Sequence, residues 1–151
     1  MKFTLTVNGE ARDFVGEARY TLADVLGTHA GCEHGVCGAC TVIVDGEPVR
    51  ACLMFAVQAQ AKKIRTVEGL AQGEKLHPLQ RAFMEHHALQ CGYCTPGFLM
   101  LATSLLEKNP DVTDEELREA LSANLCRCTG YQNILKAVRA VVRRALAQAS
   151  T

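Results

Sequence analysis

The chain has 151 residues, 48% of them hydrophobic and 21% charged, with 16 Lys and Arg against 16 Asp and Glu. Such a composition excludes a disordered tail and a collagen-like chain. Zero net charge with interspersed signs supplies neither a basic stripe for nucleic acid nor a polybasic patch for a membrane surface, and the length suits one ordinary domain or two small ones.

The opening Met1–Thr6 lacks the apolar block of a secretory signal, so a cytoplasmic protein is expected. Phe3, Leu5 and Val7 alternate with polar residues and run into Asn8-Gly9, a type I′ hairpin signal; a return strand over 11–15 follows. Thr21 with Asp24 three positions on caps a short helix ending near Leu26. The β-branched run 41–44 is turned back by Asp45-Gly46 into a strand over 47–52, and a further strand is expected over 64–67. The segment 58–75, with mixed charge and two glycines, is expected to link the halves.

The second half carries helical signals. Pro78 opens a helix reaching about Ala88. Thr95-Pro96 forms an N-cap with proline behind it. Phe98, Leu101, Ala102, Leu105 and Leu106 then keep helical spacing until Asn109-Pro110. Thr113 to Glu116 is a capping box. In the last helix Ile134, Leu135, Val138, Val141, Val142 and Leu146 oppose a basic face of Lys136, Arg139, Arg143 and Arg144, expected to be solvated. No Asp, Glu, Lys or Arg occurs from 86 to 106. That window nevertheless holds two His, Gln90, Pro96, two Gly and two Cys, so no membrane span is expected.

Eight cysteines dominate the chemistry: Cys32, Cys37, Cys40, Cys52, Cys91, Cys94, Cys126 and Cys128. Disulfides fit short exported chains, and no export signal is present. Zinc suits the C-x2-C pair Cys91/Cys94. Against zinc, C-x4-C-x2-C at Cys32, Cys37 and Cys40 with a later Cys52 is the plant-type [2Fe–2S] spacing. The pair Cys126/Cys128 is also tighter than the spacing usual in zinc ribbons. Cys32-Glu33-His34 could begin a Rieske pattern, but no second Cys/His pair follows, which leaves His34 a rim residue of the loop. Gly31, Gly35 and Gly38 are interleaved with the first three cysteines, where residues without Cβ let backbone N–H groups approach the sulfurs. Each quartet lies inside one half of the chain. Halves of roughly 70–75 residues bury only about 60% of their unfolded surface, so one metal cluster per half would help each to fold.

The segments Gln90-Cys91-Gly92-Tyr93-Cys94-Thr95-Pro96-Gly97 and Asn124-Leu125-Cys126-Arg127-Cys128-Thr129-Gly130-Tyr131-Gln132-Asn133-Ile134, with the loop Gly31–Cys40 and Cys52, closely resemble the small iron–sulfur subunit of molybdenum hydroxylases, the xanthine oxidase and carbon monoxide dehydrogenase family. The resemblance covers the chain from about residue 3 to about 142 and keeps all eight ligand positions. It implies an α+β protein: a plant-ferredoxin-like β-grasp domain over 1–74, then a four-helix-bundle [2Fe–2S] domain over 75–151. By the same resemblance Cys32, Cys37, Cys40 and Cys52 hold a distal cluster, and Cys91, Cys94, Cys126 and Cys128 a proximal one. Gln90 and Cys128 then lie beside the pterin of a molybdopterin (dinucleotide) cofactor on a large partner subunit.

The implied role is a non-catalytic electron-transfer subunit of an oxidoreductase. It would pass electrons singly from the molybdenum site to FAD on a medium subunit or to an external acceptor, in a dimer of heterotrimers with no nucleic-acid partner. The chain's stopping soon after the last helix suggests separate subunits rather than one fused enzyme. No catalytic residue is expected, and His77, His86 and His87 have no partner constellation. The alternatives are a free-standing two-cluster ferredoxin-like carrier or redox sensor, and a zinc-stapled interaction module.

Overall fold

The computed structural model describes residues 1–149; Ser150 and Thr151, the end of the second expected domain, lie outside the described residues. Strands β1 (Lys2–Val7) and β2 (Glu10–Val15) form the expected hairpin, and Asn8 and Gly9 take φ of 51° and 85°, the left-handed pair that a type I′ turn requires. The short helix α1 (Leu22–Leu26) begins in a reciprocal capping box between Thr21 and Asp24 and ends on left-handed Gly27. Beyond the cysteine loop, β3 (Thr41–Val44) and β4 (Glu47–Arg50) pair antiparallel around Asp45-Gly46, and β5 (Lys63–Arg65) completes a sheet ordered β2-β1-β5-β3-β4. β1 and β5 run parallel while the other pairs are antiparallel. This is the α+β, β-grasp arrangement that the sequence predicts.

Several boundaries differ. The fourth strand stops at Arg50, and Cys52 sits instead in a 3-10 turn over Ala51–Leu53, which turns its side chain into the core. The fifth strand ends at Arg65, two residues early, because Thr66 leaves the ladder and bonds to Asn8. The segment 58–75 is no free linker, since it carries β5 and its Leu70 is buried.

Four helices follow: α2 (Pro78–Glu85), α3 (Thr95–Lys108), α4 (Asp114–Leu121) and α5 (Gln132–Ala149). Helix α2 closes three residues before the expected end, where His86 becomes the cap and His87 adopts φ of 50°. His77 caps its start by accepting from the Leu79 N–H. The cap of α3 is Cys94 rather than Thr95, which is already helical. Arg139 pairs with Asp114 at 2.7 Å and Arg144 with Glu85 at 2.8 Å, so the basic face of α5 is partly tied to its neighbours.

The largest departure concerns α3. One apolar face was expected, yet every residue from Gly97 to Ser104 is buried. The helix lies between two hydrophobic clusters: Val42 and Val44 of β3 join the sheet core, while Ile43 between them joins the helical core with Phe98, Met100 and Leu101. A helix buried on all sides must be apolar all round, which accounts for the absence of charge from Gly97 to Ser104. Among the described residues, no helix is long and apolar enough to cross a membrane.

At its first turn α3 meets the cysteine loop backbone to backbone. A Cβ on Gly97 would stand 2.1 Å from the Gly38 carbonyl oxygen. Over-packing a site that cannot relax typically costs about 1–3 kcal/mol. Gly97→Ala is therefore expected to lose stability in that range, read from the denaturant midpoint; an unchanged midpoint would show that the two segments can part.

Candidate metal centres

Each quartet is assembled from two segments. Cys32, Cys37 and Cys40 come from the loop between α1 and β3, Cys52 from the turn after β4. Cys91 and Cys94 precede α3, while Cys126 and Cys128 lie between α4 and α5. All eight cysteines are free thiols; Cys40, Cys52 and Cys126 are buried, and Cys91 and Cys128 exposed.

Within the quartets the sulfurs group in twos. The Cys37 side chain bears on Cys32, and the Cys40 side chain on Cys52. The Cys126 side chain bears on Cys94, and the sulfurs of Cys91 and Cys128 stand 3.5 Å apart. The structure thus brings the two predicted sets together separately. Among the described residues, no three His, Cys, Asp or Glu side chains converge as ligands of one metal ion. Four thiols gathered as two pairs suit a two-iron core, in which each iron takes two cysteines.

The protonation of these thiols is set by their surroundings. Backbone N–H groups of Cys37 and then His34 hold the Cys32 thiol at about 6, well below its ordinary value. Burial, followed by the neighbouring Cys40, pushes Cys52 up to about 11. Burial and Cys126 push Cys94 up to about 12. For Cys126, burial opposes ionisation, but the Thr129 hydroxyl at 3.1 Å and the Thr129 N–H at 3.4 Å outweigh it and hold the thiol low. Buried thiols that resist ionisation alone would be deprotonated by a metal. N–H groups already aimed at sulfur, such as Cys37 N–H on Cys32 Sγ at 3.3 Å, would stabilise the added negative charge of a reduced cluster. Gly31 is a cradle of the same kind: a Cβ there would lie 3.2 Å from Cys37 Sγ. The residues present therefore fit a pair of [2Fe–2S] groups.

The expected peripheral residues are also placed. Gln90 is exposed and donates from Nε2 to the Cys128 carbonyl at 3.1 Å. His34 lies on the loop rim, its Nδ1 2.6 Å from the Cys32 carbonyl oxygen. His86 and His87 mark the end of α2.

Residues that sequence reasoning did not single out join the two loops. Tyr93, between Cys91 and Cys94, stacks on His29 with centroids 4.5 Å apart and donates from its hydroxyl to the Ala30 carbonyl at 3.2 Å. The buried Asn124 donates to the Gly38 carbonyl at 3.3 Å, and Leu125 N–H donates to the Cys37 carbonyl at 2.9 Å. Tyr93 and Asn124 stand inside the cysteine motifs, a signal of placement but not of partner.

A β-grasp sheet and a helical unit, each with a cysteine quartet at its loops, define an iron–sulfur protein of the [2Fe–2S] class. A 2Fe-2S iron-sulfur cluster binding domain matches residues 10–85, and a [2Fe-2S] binding domain matches residues 66–139. The nicotine 6-hydroxylase small subunit of Paenarthrobacter nicotinovorans is 57% identical over 91% of this chain and 87% of its own length. The nicotinate dehydrogenase small FeS subunit of Eubacterium barkeri is 51% identical over 93% and 94%. The crystal structure of quinoline 2-oxidoreductase from Pseudomonas putida 86 superimposes with a TM-score of 0.90 at 51% identity, covering 97% of this chain and 96% of that one. The chain belongs to the family of small iron–sulfur, electron-transfer subunits of molybdenum hydroxylases, the xanthine dehydrogenase family.

Gly31→Leu places a side chain against Cys37 Sγ and the Tyr93 ring. The variant is expected to lose about half of the protein-bound iron, that of one [2Fe–2S] group of two, while keeping its circular dichroism. Full iron content would contradict the cradle.

Proposed function

We propose that Cys32, Cys37, Cys40 and Cys52 ligate one [2Fe–2S] cluster in a domain over 1–74, and Cys91, Cys94, Cys126 and Cys128 the other in a domain over 75–151. The observation that carries this assignment is the separation of the thiols into two sets, each split into pairs. When bound, the clusters would pass electrons singly from a molybdopterin site on a large partner subunit towards FAD on a medium subunit or an external acceptor.

The chain's own residues ligate, space and shield these groups. Cys128 and Cys91 are exposed, and Leu89, Tyr93 and Leu125 present apolar surface near them at 39%, 47% and 49% exposure. That face, with Gln90, is the contact for the large subunit and its pterin. At the other quartet, Val36, Leu53 and Phe55 are 56%, 63% and 48% exposed, a second apolar patch suited to the flavin subunit or acceptor. Two such patches favour a fixed subunit over a free-standing carrier. The assembly in this reading is a cytoplasmic dimer of heterotrimers, in which the two patches supply this chain's contacts within each heterotrimer. The names of the three similar proteins point to N-heteroaromatic rings as the substrates, bound on the large subunit.

Two substitutions in the native complex test the order of the sites. Cys128→Ser is expected to disturb the electron paramagnetic resonance signal of one cluster and leave the plant-type signal intact. Cys52→Ser is expected to spare reduction of molybdenum by substrate while turnover with the terminal acceptor falls at least tenfold, about 1.4 kcal/mol of barrier. Equal loss of both signals in the first variant, or normal turnover in the second, would refute the assignment.

A further inference from the structure

The segments leading to the two quartets converge on a single cation. Arg50, the last residue of β4, stands two positions before Cys52. Its Nε donates to the Gly35 carbonyl at 3.3 Å, inside the first cysteine loop. Nη1 donates to Thr41 Oγ1 at 2.5 Å, and that hydroxyl in turn donates to the Gly38 carbonyl at 2.6 Å. Nη2 crosses to the other half of the molecule and donates to the Ala123 carbonyl at 2.6 Å, three residues before Cys126. The guanidinium also packs on Gly38, where a Cβ would lie 3.1 Å from Arg50 Cζ.

Two properties of this arrangement bear on electron transfer. A planar fork of donors can hold three acceptors on three segments at once, which a lysine ammonium on a flexible stem cannot do in the same geometry. All three acceptors are neutral oxygens, and no carboxylate pairs with Arg50 among the described residues. Its positive charge is therefore left for whatever lies in the adjoining thiol sets. Reduction adds one negative charge to a cluster, and a partly buried cation nearby favours that state.

We propose that Arg50 is the positioning residue of the relay: its guanidinium clamps the segment entering Cys126 to the Cys32–Cys40 loop, and its unpaired charge raises the reduction potential of the cluster held by that loop. This role rests on the two-cluster reading of the quartets. It differs from that of the ligands, because Arg50 touches no metal and sets the spacing and the field through the loops it binds.

The test uses Arg50→Gln and Arg50→Lys in the native complex. Iron is counted first, then followed by a redox titration monitored by electron paramagnetic resonance. In Arg50→Gln with full iron, reduction of the plant-type cluster becomes about tenfold less favourable, a fall of about 59 mV for one electron. The magnetic splitting between the two reduced clusters also changes. Arg50→Lys keeps the charge, so the potential returns to within about threefold of wild type, while the splitting stays altered. A structural residue alone would lower stability without separating these two readouts. Wild-type potential and splitting in iron-replete Arg50→Gln would overturn the proposal. If that variant loads no iron, Arg50→Lys decides: an altered splitting upholds the clamp, and a wild-type splitting overturns it. A wild-type complex lacking both signals would sink the two-cluster reading, and this role with it.

Discussion

The rest of the structure depends on a backbone-to-backbone contact between two glycines. Gly97 in the first turn of α3 and Gly38 in the cysteine loop approach until no Cβ fits on the helix side, and the Asn124 amide fills the space where a Gly38 side chain would stand. A backbone-to-backbone contact has no rotamers with which to adjust, so it fixes the distance between the segments more tightly than side-chain packing does. Its consequence is that Cys40, two residues after Gly38, and Cys94, three before Gly97, are held close by short stretches of chain. The Tyr93–His29 stack and the Leu125–Cys37 hydrogen bond brace the same junction from either side. Electron transfer between two centres depends on such a fixed separation, and here it is set by the fold of one chain.

The ion pairs across the same boundary are of a different kind. Arg65 meets Glu107 through two bonds of 2.9 Å, and Lys108 meets Glu47, all at the surface. Exposed pairs contribute about 0–1 kcal/mol each. The burial of α3 between both cores therefore dominates the attachment of the halves. Because their surroundings hold the thiols of Cys52 and Cys94 in the neutral form, a metal must displace their protons as the segments that carry them close around it. Metal binding and completion of the fold are coupled for that reason.

Much of this was legible in the sequence where the signal is local. The turns at Asn8-Gly9 and Asp45-Gly46 and the capping boxes at Thr21 and Thr113 all depend on a few adjacent residues and form as expected. The cysteine spacings, with the residues around them, pointed to two sets and to the family. The differences arise where distant packing decides. Helix α3 was read as amphipathic because periodicity reports one face, whereas the sheet supplies a second apolar partner that no local pattern announces. Cys52 lies in a 3-10 turn rather than a strand, since its sulfur must reach the first loop. Arg50, Tyr93 and Asn124 act across separations of 73, 63 and 86 residues, and their partners are carbonyl oxygens, which carry no sequence signature.

The central claim is that the eight thiols hold two separate pairs of sulfide-bridged irons in the working complex. Metal and acid-labile sulfide analysis of the anaerobically isolated complex tests it most directly. About four irons and four sulfides per copy of this chain, without zinc, is the result this account requires. Stoichiometric zinc, or half that iron with all eight cysteines intact, would contradict it.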